Sequence, residues 1–254
     1  MQIFSRNPRG WQSSKLEPSD VVEFKRLKKA LGVSPVVVHI PYLINLATPD
    51  AALYRKSIDA YIDDVKRADS LGAEYFVTHL GSHVGTGEEG GITRFADAIN
   101  EIVKIAKPKT TILLENTAGS GSIIGYRFEH IKGIIDRLDK PKDIGVCLDT
   151  AHTFEAGYDI RTKSGLAATL KSFDHLIGLE RIKVIHFNDS LSAFGSHVDR
   201  HQHIGKGDIG LEALGRIINH SKLKNAAFIM ETPKNTDKDD KVNMAVVKRI
   251  YKGR

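Results

Sequence analysis

The sequence predicts an α/β fold, a (β/α)8 barrel of the triosephosphate-isomerase type with only seven strands in this chain. Short apolar segments rich in β-branched residues recur along the 254 residues, and segments with helical periodicity separate them. Strands of a parallel sheet are apolar on both sides because crossover helices cover both faces. A doubly wound open sheet is the alternative, but no Gly-rich dinucleotide fingerprint follows an early strand.

The seven predicted strands are residues 2–4, 36–40, 75–79, 111–114, 144–148, 183–187 and 226–230. A closed barrel of this type has eight strands, so the sequence predicts an incompletely closed barrel with a gap between 2–4 and 226–230. Residues 1–254 are expected to form a single domain, because no linker or low-complexity tract interrupts them.

The clearest predicted helix lies between the second and third strands. Thr48 is its predicted N-cap, Pro49 its first helical residue and Gly72 its end. Further helices are predicted from apolar residues spaced three or four apart around Val21, Ile92 and Leu211. The charged stretch 235–241 is predicted to be a solvated loop.

The charge balance indicates a polyanionic partner. Lys and Arg number 37 against 31 Asp and Glu, which gives a formal net charge of +6. Such a surplus fits DNA, although solvated lysines alone would also produce it. The single cysteine, Cys147, excludes an intramolecular disulfide and zinc–thiolate clusters, so a cytoplasmic location is expected and Cys147 is predicted to be a core residue. No apolar run is long enough to span a bilayer.

Residues that can bind a metal stand at the ends of six predicted strands. They are His39, His79, Glu115, Asp149, His186 and Glu231. His152 lies three residues after Asp149, and Asp199 and His201 lie in the polar loop after His186. Because the C-terminal ends of barrel strands converge on the active site, we expect these nine side chains to share one pocket.

Each residue taken alone has a structural explanation. His39 by itself would be a hydrogen-bonded core or loop residue, and Asp149 by itself a helix N-cap. Together they are harder to explain, because burying several carboxylates without cations is strongly destabilising. Imidazole and carboxylate without thiolate suit Zn²⁺, Mn²⁺ or Fe²⁺, and so large a set of ligands suggests two or three ions. A multi-metal site in a basic protein indicates phosphodiester hydrolysis.

At these residues the chain resembles the endonuclease IV family, which are apurinic/apyrimidinic endonucleases with a barrel fold. The matching segments are HIPYLINL (39–46), THLGSH (78–83), ENTAG (115–119), GVCLDTAH (145–152), ND (188–189), VDRH (198–201) and ET (231–232). They keep the family's order, and every metal ligand of the family has a counterpart of the same type. The family's first β/α unit, with its Gly-Ala-His-Val-Ser-like motif, has no counterpart. We therefore expect the natural protein to be longer, and a version extended by one β/α unit to be more stable and more active.

The resemblance implies a three-zinc centre, with Mn²⁺ or Fe²⁺ suited to some positions. One zinc would be held by His39, His79 and Glu115. A second would be held by Glu115, Asp149, His186 and Glu231, and a third by His152, Asp199 and His201. As the bridge between two ions, Glu115 is also the predicted catalytic residue, and it would assist deprotonation of the attacking water.

The resemblance also implies a reaction and a partner. Family members hydrolyse the DNA phosphodiester 5′ to an abasic site and trim blocked 3′ ends in base excision repair, so the expected partner is abasic double-stranded DNA. A monomer is expected. An abasic nucleotide is easily flipped, and wedge residues then hold the kinked duplex. The family's wedge residues match Arg9, Tyr42 and Leu43. Loop packing would also explain Tyr42 and Leu43, but their place just after His39 favours DNA binding.

A metal-dependent sugar isomerase or epimerase on the same fold is the alternative function. It explains histidines and carboxylates at strand ends. It does not explain the Asp199 and His201 loop together with His152, nor the basic charge. A non-catalytic DNA- or metal-binding protein is a further alternative, but it would be expected to have lost ligands, and none is lost.

Overall fold

The computed structural model describes residues 1–253, in which strands alternate with helices. The strands are β1 (Gln2–Ile3), β2 (Val37–His39), β3 (Tyr75–Thr78), β4 (Thr111–Glu115), β5 (Ile144–Asp149), β6 (Ile182–His186), β7 (Asp189–Ser190), β8 (His201–Gln202) and β9 (Ala227–Ile229). The helices are α1 (Pro18–Ala30), α2 (Ala51–Leu71), α3 (Glu88–Ala106), α4 (Phe128–Asp136), α5 (Thr150–Glu155), α6 (Lys163–Leu176), α7 (Leu211–Ile218) and α8 (Asp239–Ile250). None of these helices combines the length and the apolar character that a bilayer crossing requires.

The principal sheet has seven strands in the order β1-β2-β3-β4-β5-β6-β9. Strands β1 and β9 stand at the two ends of this order, and each of the seven overlaps a predicted segment. The predicted strand count is therefore confirmed. Strands β7 and β8 form a separate antiparallel pair, which was not predicted because two-residue strands show no periodicity.

Contacts within the chain define two compact units. The first comprises Met1–Leu114 and Gly133–Gly145, and the second comprises Glu115–Lys132 and the chain from Val146 onward. That residues 1–254 form a single domain stays a prediction.

The first unit is built on parallel pairing of β1 to β4, with Val37 opposite both Gln2 and Tyr75. Val37 and Val38 are fully buried, as expected for a strand covered on both faces. The sheet therefore holds the end of β2, at His39, in a fixed position beside the end of β3.

Helix α2 begins later than the sequence indicated. Its N-cap is Asp50, whose carboxylate accepts a hydrogen bond from the Leu53 amide at 2.8 Å. The prediction of Thr48 as N-cap was wrong, because the Thr48 hydroxyl accepts instead from the Asp50 amide at 3.2 Å and so precedes the cap. The predicted end at Gly72 is confirmed, and its φ of 68° explains the glycine.

The second unit contains the parallel strands β5, β6 and β9, with Asp149 opposite His186 and His186 opposite Ile229. Helix α5 follows β5 without a loop, because Asp149 both ends the strand and caps the helix by accepting from the His152 amide at 2.8 Å. The stretch 235–241, predicted to be a loop, contains the start of α8. Aspartates in the first turn, Asp239 and Asp240, favour a helix start there.

Candidate metal centre

The second unit carries carboxylates and an imidazole at the ends of its strands. Glu115 ends β4, Asp149 ends β5, His186 ends β6 and Glu231 lies two residues beyond β9. One ligand atom from each lies within 4.8 Å of the others. The Nδ1 atom of His186 is 2.6 Å from Glu115 Oε1 and 3.1 Å from Glu231 Oε2. Three of the four residues are fully buried, which makes this a concentrated and poorly solvated set of metal-binding groups.

A second group shares Asp149 with the first. Ligand atoms of Asp149, His152 and His201 lie within 4.8 Å of one another. The Nε2 atoms of His152 and His201 are only 3.4 Å apart. Asp199 reaches both rings, with Oδ2 at 3.4 Å from His152 Nε2 and Oδ1 at 3.6 Å from His201 Nε2. The groups therefore converge as the ligands of one ion do.

The hydrogen bonds of the two rings indicate which nitrogens face this point. His152 Nδ1 lies 2.9 Å from the Asn116 carbonyl oxygen, and His201 Nδ1 lies 3.1 Å from the Glu231 carbonyl oxygen. A carbonyl oxygen only accepts, so each Nδ1 carries the hydrogen and each neutral ring has its lone pair on Nε2. If both rings are neutral, these two lone pairs repel at 3.4 Å, and either a proton on one Nε2 or a metal ion between the rings relieves the repulsion. The donor set thus fits a bound metal ion.

The electrostatics favour a cation as well. Burial disfavours the charged form of His152, but the carboxylates of Asp149 and Asp199 outweigh burial and raise its pKa well above 6.5. The same negative potential attracts a divalent metal ion.

Two asparagines form hydrogen bonds with candidate ligands and were not predicted as functional residues. Asn188 donates from Nδ2 to Asp149 Oδ2 at 2.7 Å and accepts from the Glu231 amide at 2.7 Å. Asn116 accepts from the Asp149 amide at 2.7 Å through Oδ1 and from His152 through its carbonyl. Such groups fix the ligand geometry. The available signal was that each lies within two residues of a strand-end ligand.

Cys147 is fully buried, as predicted for a core residue. Its sulfur also lies within 4.8 Å of ligand atoms of Glu115 and His186, which the sequence did not indicate. Burial raises the pKa of the thiol to about 12, so the residue stays protonated. Cys147 is therefore a buried, protonated thiol next to the ligand atoms of Glu115 and His186.

The first unit holds the other two predicted ligands. The rings of His39, at the end of β2, and His79, directly after β3, meet edge to face with centroids 4.9 Å apart. The ring of Tyr42 lies 6.4 Å from His39 and 6.3 Å from His79. The Tyr42 amide donates to the Pro8 carbonyl at 3.0 Å, which joins the segment that carries Arg9 to the segment that carries Tyr42.

The predicted wedge residues are exposed. Tyr42 is 59% and Leu43 36% exposed, and Arg9 also lies at the surface. A tyrosine exposed to this extent beside two histidines is available for contact with a ligand, unlike a packed loop residue.

The structure therefore brings together seven of the nine predicted ligands in the second unit: Glu115, Asp149, His152, His186, Asp199, His201 and Glu231. His39 and His79 form their own pair in the first unit. That this pair shares an ion with Glu115 stays a prediction, as does the ligand role of all nine.

Comparison with known proteins gives consistent matches. Residues 1–249 match a family described as xylose isomerase-like TIM barrel. The chain is 43% identical to the probable endonuclease 4 of Chloroflexus aurantiacus over 255 residues, or 100% of this chain and 90% of the relative. The crystal structure of endonuclease IV from Thermus thermophilus is similar, with a TM-score of 0.87, 36% identity and coverage of 98% and 87% of the two chains. A D-tagatose 3-epimerase-like protein shares the fold alone, with a TM-score of 0.72, 23% identity and coverage of 92% and 83%.

These matches and the strand-end site define a metal-binding hydrolase on a TIM-type barrel, so the predicted fold class is confirmed. The chain belongs to the endonuclease IV family of apurinic/apyrimidinic endonucleases. The family and the enzyme class predicted from the sequence are confirmed as well.

Proposed function

We propose that this chain hydrolyses the DNA phosphodiester 5′ to abasic sites with the help of bound metal ions, and that it trims blocked 3′ ends in base excision repair. The observation that supports this most strongly is the convergence of His152 Nε2 and His201 Nε2, 3.4 Å apart, with carboxylates beside them. Membership of the endonuclease IV family adds the DNA substrate.

The proposed centre holds three zinc ions, with Mn²⁺ or Fe²⁺ acceptable at some positions. His39, His79 and Glu115 hold the first ion, and Glu115, Asp149, His186 and Glu231 hold the second. His152, Asp199 and His201 hold the third. Metal ions in such centres provide a nucleophile at neutral pH and stabilise the charge of a phosphate undergoing displacement.

The chain's own residues contribute the following. Glu115 would be a ligand in the metal centre and would accept a proton from the attacking water; its Oε1 is held 2.6 Å from His186 Nδ1. Asn188 and Asn116 hold Asp149 in place through hydrogen bonds of 2.7 Å. Burial of the carboxylates strengthens their electrostatic interactions with a cation.

We propose that Arg9, Tyr42 and Leu43 bind the abasic duplex. Tyr42 offers an exposed aromatic face that can stack on a neighbouring base, and Arg9 offers a cation for the phosphates. The net charge of +6 supports attraction to DNA. The monomeric state and the cytoplasmic location stay predictions from the sequence.

Incision of defined duplexes tests this function. We expect the zinc-loaded chain to cut a duplex with one abasic-site analogue on its 5′ side, leaving a 3′-hydroxyl, and to leave the same duplex without the lesion intact. Removal of metal with a chelator should stop incision, and zinc should restore it. A zinc-saturated chain that leaves abasic DNA uncut would contradict the proposal.

A sugar isomerase or epimerase remains the alternative with the same fold. Its support is limited to the fold shared with an epimerase-like protein. Zinc stoichiometry separates the two functions, because an isomerase site of this kind holds one or two ions whereas the proposed endonuclease centre holds three.

A further inference from the structure

We propose that Glu155 is a positioning residue that clamps the β7–β8 hairpin and thereby holds Asp199 and His201 in place to bind a metal ion. The proposal rests on the proposed function, since it requires these two residues to be ligands.

The clamp is made by one carboxylate oxygen. Glu155 is the last residue of α5 and is fully buried. Its Oε1 accepts from the Ser190 hydroxyl at 2.7 Å and from the Arg200 amide at 3.2 Å. The Ser190 hydroxyl is also 2.8 Å from the Ser192 carbonyl, but a carboxylate is the stronger acceptor. Because Ser190 lies in β7 and Arg200 directly precedes β8, the oxygen holds both sides of the hairpin.

The position of Arg200 makes this clamp relevant to metal binding. Arg200 lies between Asp199 and His201, so a bond to its amide restrains the backbone on both sides. The Asp199 side chain is 56% exposed. The strands β7 and β8 have two residues each, and so short a hairpin is only marginally stable by itself. We infer that the hairpin depends on contacts such as that with Glu155.

Helix α5 connects the clamp to a ligand. His152 and Glu155 are three residues apart on one helix and therefore lie on the same face. His152 Nε2 is 3.4 Å from Asp199 Oδ2. The backbone of the same helix end also binds the hairpin, since the Glu155 carbonyl accepts from the His197 amide at 3.0 Å. One helix face thus sets the spacing between His152 and the two ligands on the hairpin.

A buried glutamate at this position destabilises the fold unless its carboxylate forms specific hydrogen bonds. Burial raises the pKa of Glu155. Its second oxygen, Oε2, is buried and has no hydrogen-bond partner among residues 1–253. Burying a polar atom without a partner is destabilising, so an apolar side chain would suit a purely structural role better. The two hydrogen bonds to the hairpin explain the carboxylate.

Zinc titration of the metal-free full chain tests the clamp. In Glu155→Ala, we expect one of the three zinc ions, the one that Asp199 and His201 hold, to bind about tenfold more weakly or worse, and the other two to bind as in the wild type. Glu155→Gln should bind all three as the wild type does. The amide oxygen of the glutamine can accept the hydrogen bonds from Ser190 and Arg200. Its amide nitrogen takes the place of Glu155 Oε2, which has no hydrogen-bond partner within residues 1–253.

Hydrogen exchange gives a readout that does not depend on metal or activity. In the metal-free chain, the Arg200 amide should exchange faster in Glu155→Ala than in the wild type and at the wild-type rate in Glu155→Gln. Glu129→Ala is the matched control, because it removes an exposed carboxylate from α4 with the same change in charge. It should alter neither zinc binding nor Arg200 exchange.

Three results would overturn the proposal. Unchanged zinc affinities in Glu155→Ala would do so while leaving the proposed function intact, provided that the wild type incises abasic DNA. If Glu155→Gln bound zinc as weakly as Glu155→Ala, the charge of Glu155 would determine zinc affinity, and not its acceptance of the two hydrogen bonds. A wild type that binds no zinc at the hairpin would remove the proposed function and the clamp together.

If Glu155→Ala does not fold, Ser190→Ala tests the clamp in its place. This variant removes one of the two bonds and leaves Glu155 in place. We expect a smaller loss of affinity for the zinc ion that Asp199 and His201 hold, together with faster exchange of the Arg200 amide. Wild-type values for both would overturn the clamp.

Discussion

Two fully buried aspartates, one in each compact unit, have partners of different kinds. Asp64, on α2 in the first unit, forms an ion pair of 2.7 Å with the guanidinium of Arg6. Asp149, in the second unit, is surrounded by imidazoles and amides. Its Oδ2 atom accepts from Asn188 at 2.7 Å and lies 3.6 Å from His201 Nε2.

The difference in partners matches a structural role for Asp64 and the proposed metal-binding role for Asp149. A guanidinium is permanently charged, so Arg6 neutralises Asp64 without any added ion. A neutral imidazole is a metal ligand and supplies no charge. Around Asp149, further carboxylates add negative charge, which protons on the imidazoles offset in the metal-free chain and a divalent cation would offset in the proposed centre. The partners of a buried carboxylate therefore tell more about its role than its burial does.

The largest expected effect is on catalysis. Glu115→Ala should lower the single-turnover rate of abasic-site incision by roughly 10³-fold or more, because it removes a carboxylate proposed to link two ions. Glu129→Ala serves again as the control for loss of one exposed carboxylate. If Glu115→Ala cut abasic DNA at close to the wild-type rate, Glu115 would have a structural role, as Asp64 does, and not a catalytic one.

The next effect concerns the structural pair. Asp64→Ala should lower the free energy of unfolding by about 3–5 kcal/mol, because it leaves the Arg6 guanidinium buried without its carboxylate. Glu23→Ala is the matched control, since Glu23 pairs with Arg26 at 2.7 Å on the surface, and it should leave the free energy of unfolding nearly unchanged. Denaturant unfolding measures both. Equal losses would mean that burial adds nothing to the Arg6–Asp64 pair.

The same aspartate should impose a pH dependence on stability. Burial raises the pKa of Asp64 from 3.8 to about 6, with the Arg6 bond offsetting part of the shift. Between these values the unfolded chain has lost the proton while the folded chain retains it, so stability falls as pH rises. Relative to Asp64→Asn, the free energy of unfolding of the metal-free wild type should fall by up to about 3 kcal/mol across this window. A difference that does not change with pH would contradict the raised pKa.

The smallest expected effect is on DNA binding, and it concerns a residue outside the sites of Asp64 and Asp149. Tyr42→Ala should weaken binding to abasic duplex DNA by about 1–3 kcal/mol, taking base–aromatic stacking as the guide. Zinc content should not change, because Tyr42 is not among the proposed ligands. Fluorescence anisotropy with abasic and intact duplexes measures the affinity, and unchanged affinity for the abasic duplex would remove Tyr42 from the DNA-binding surface.

Sequence patterns predicted well those structural elements that are determined by residues close together in the chain. The strand that leads to His39 was recognisable because a buried strand is apolar at successive positions. The start of α2 was placed too early, because Thr48, Pro49 and Asp50 all suit a helix start and only the Asp50 bond to Leu53 decides among them. The hairpin of β7 and β8 had no local signal.

By itself, the sequence determined the order of the seven strands of the principal sheet, the family, and the identity of the residues at the strand ends. These follow from periodicity and motifs, which are properties of short stretches of chain. Only the tertiary structure decided which groups meet. Glu155 reaches Ser190 across 35 residues and Asn188 reaches Asp149 across 39, and hydrogen bonds over such separations leave no trace in local composition. The partners of Asp64 are set in the same way, because Arg6 lies 58 residues from Asp64 in the chain.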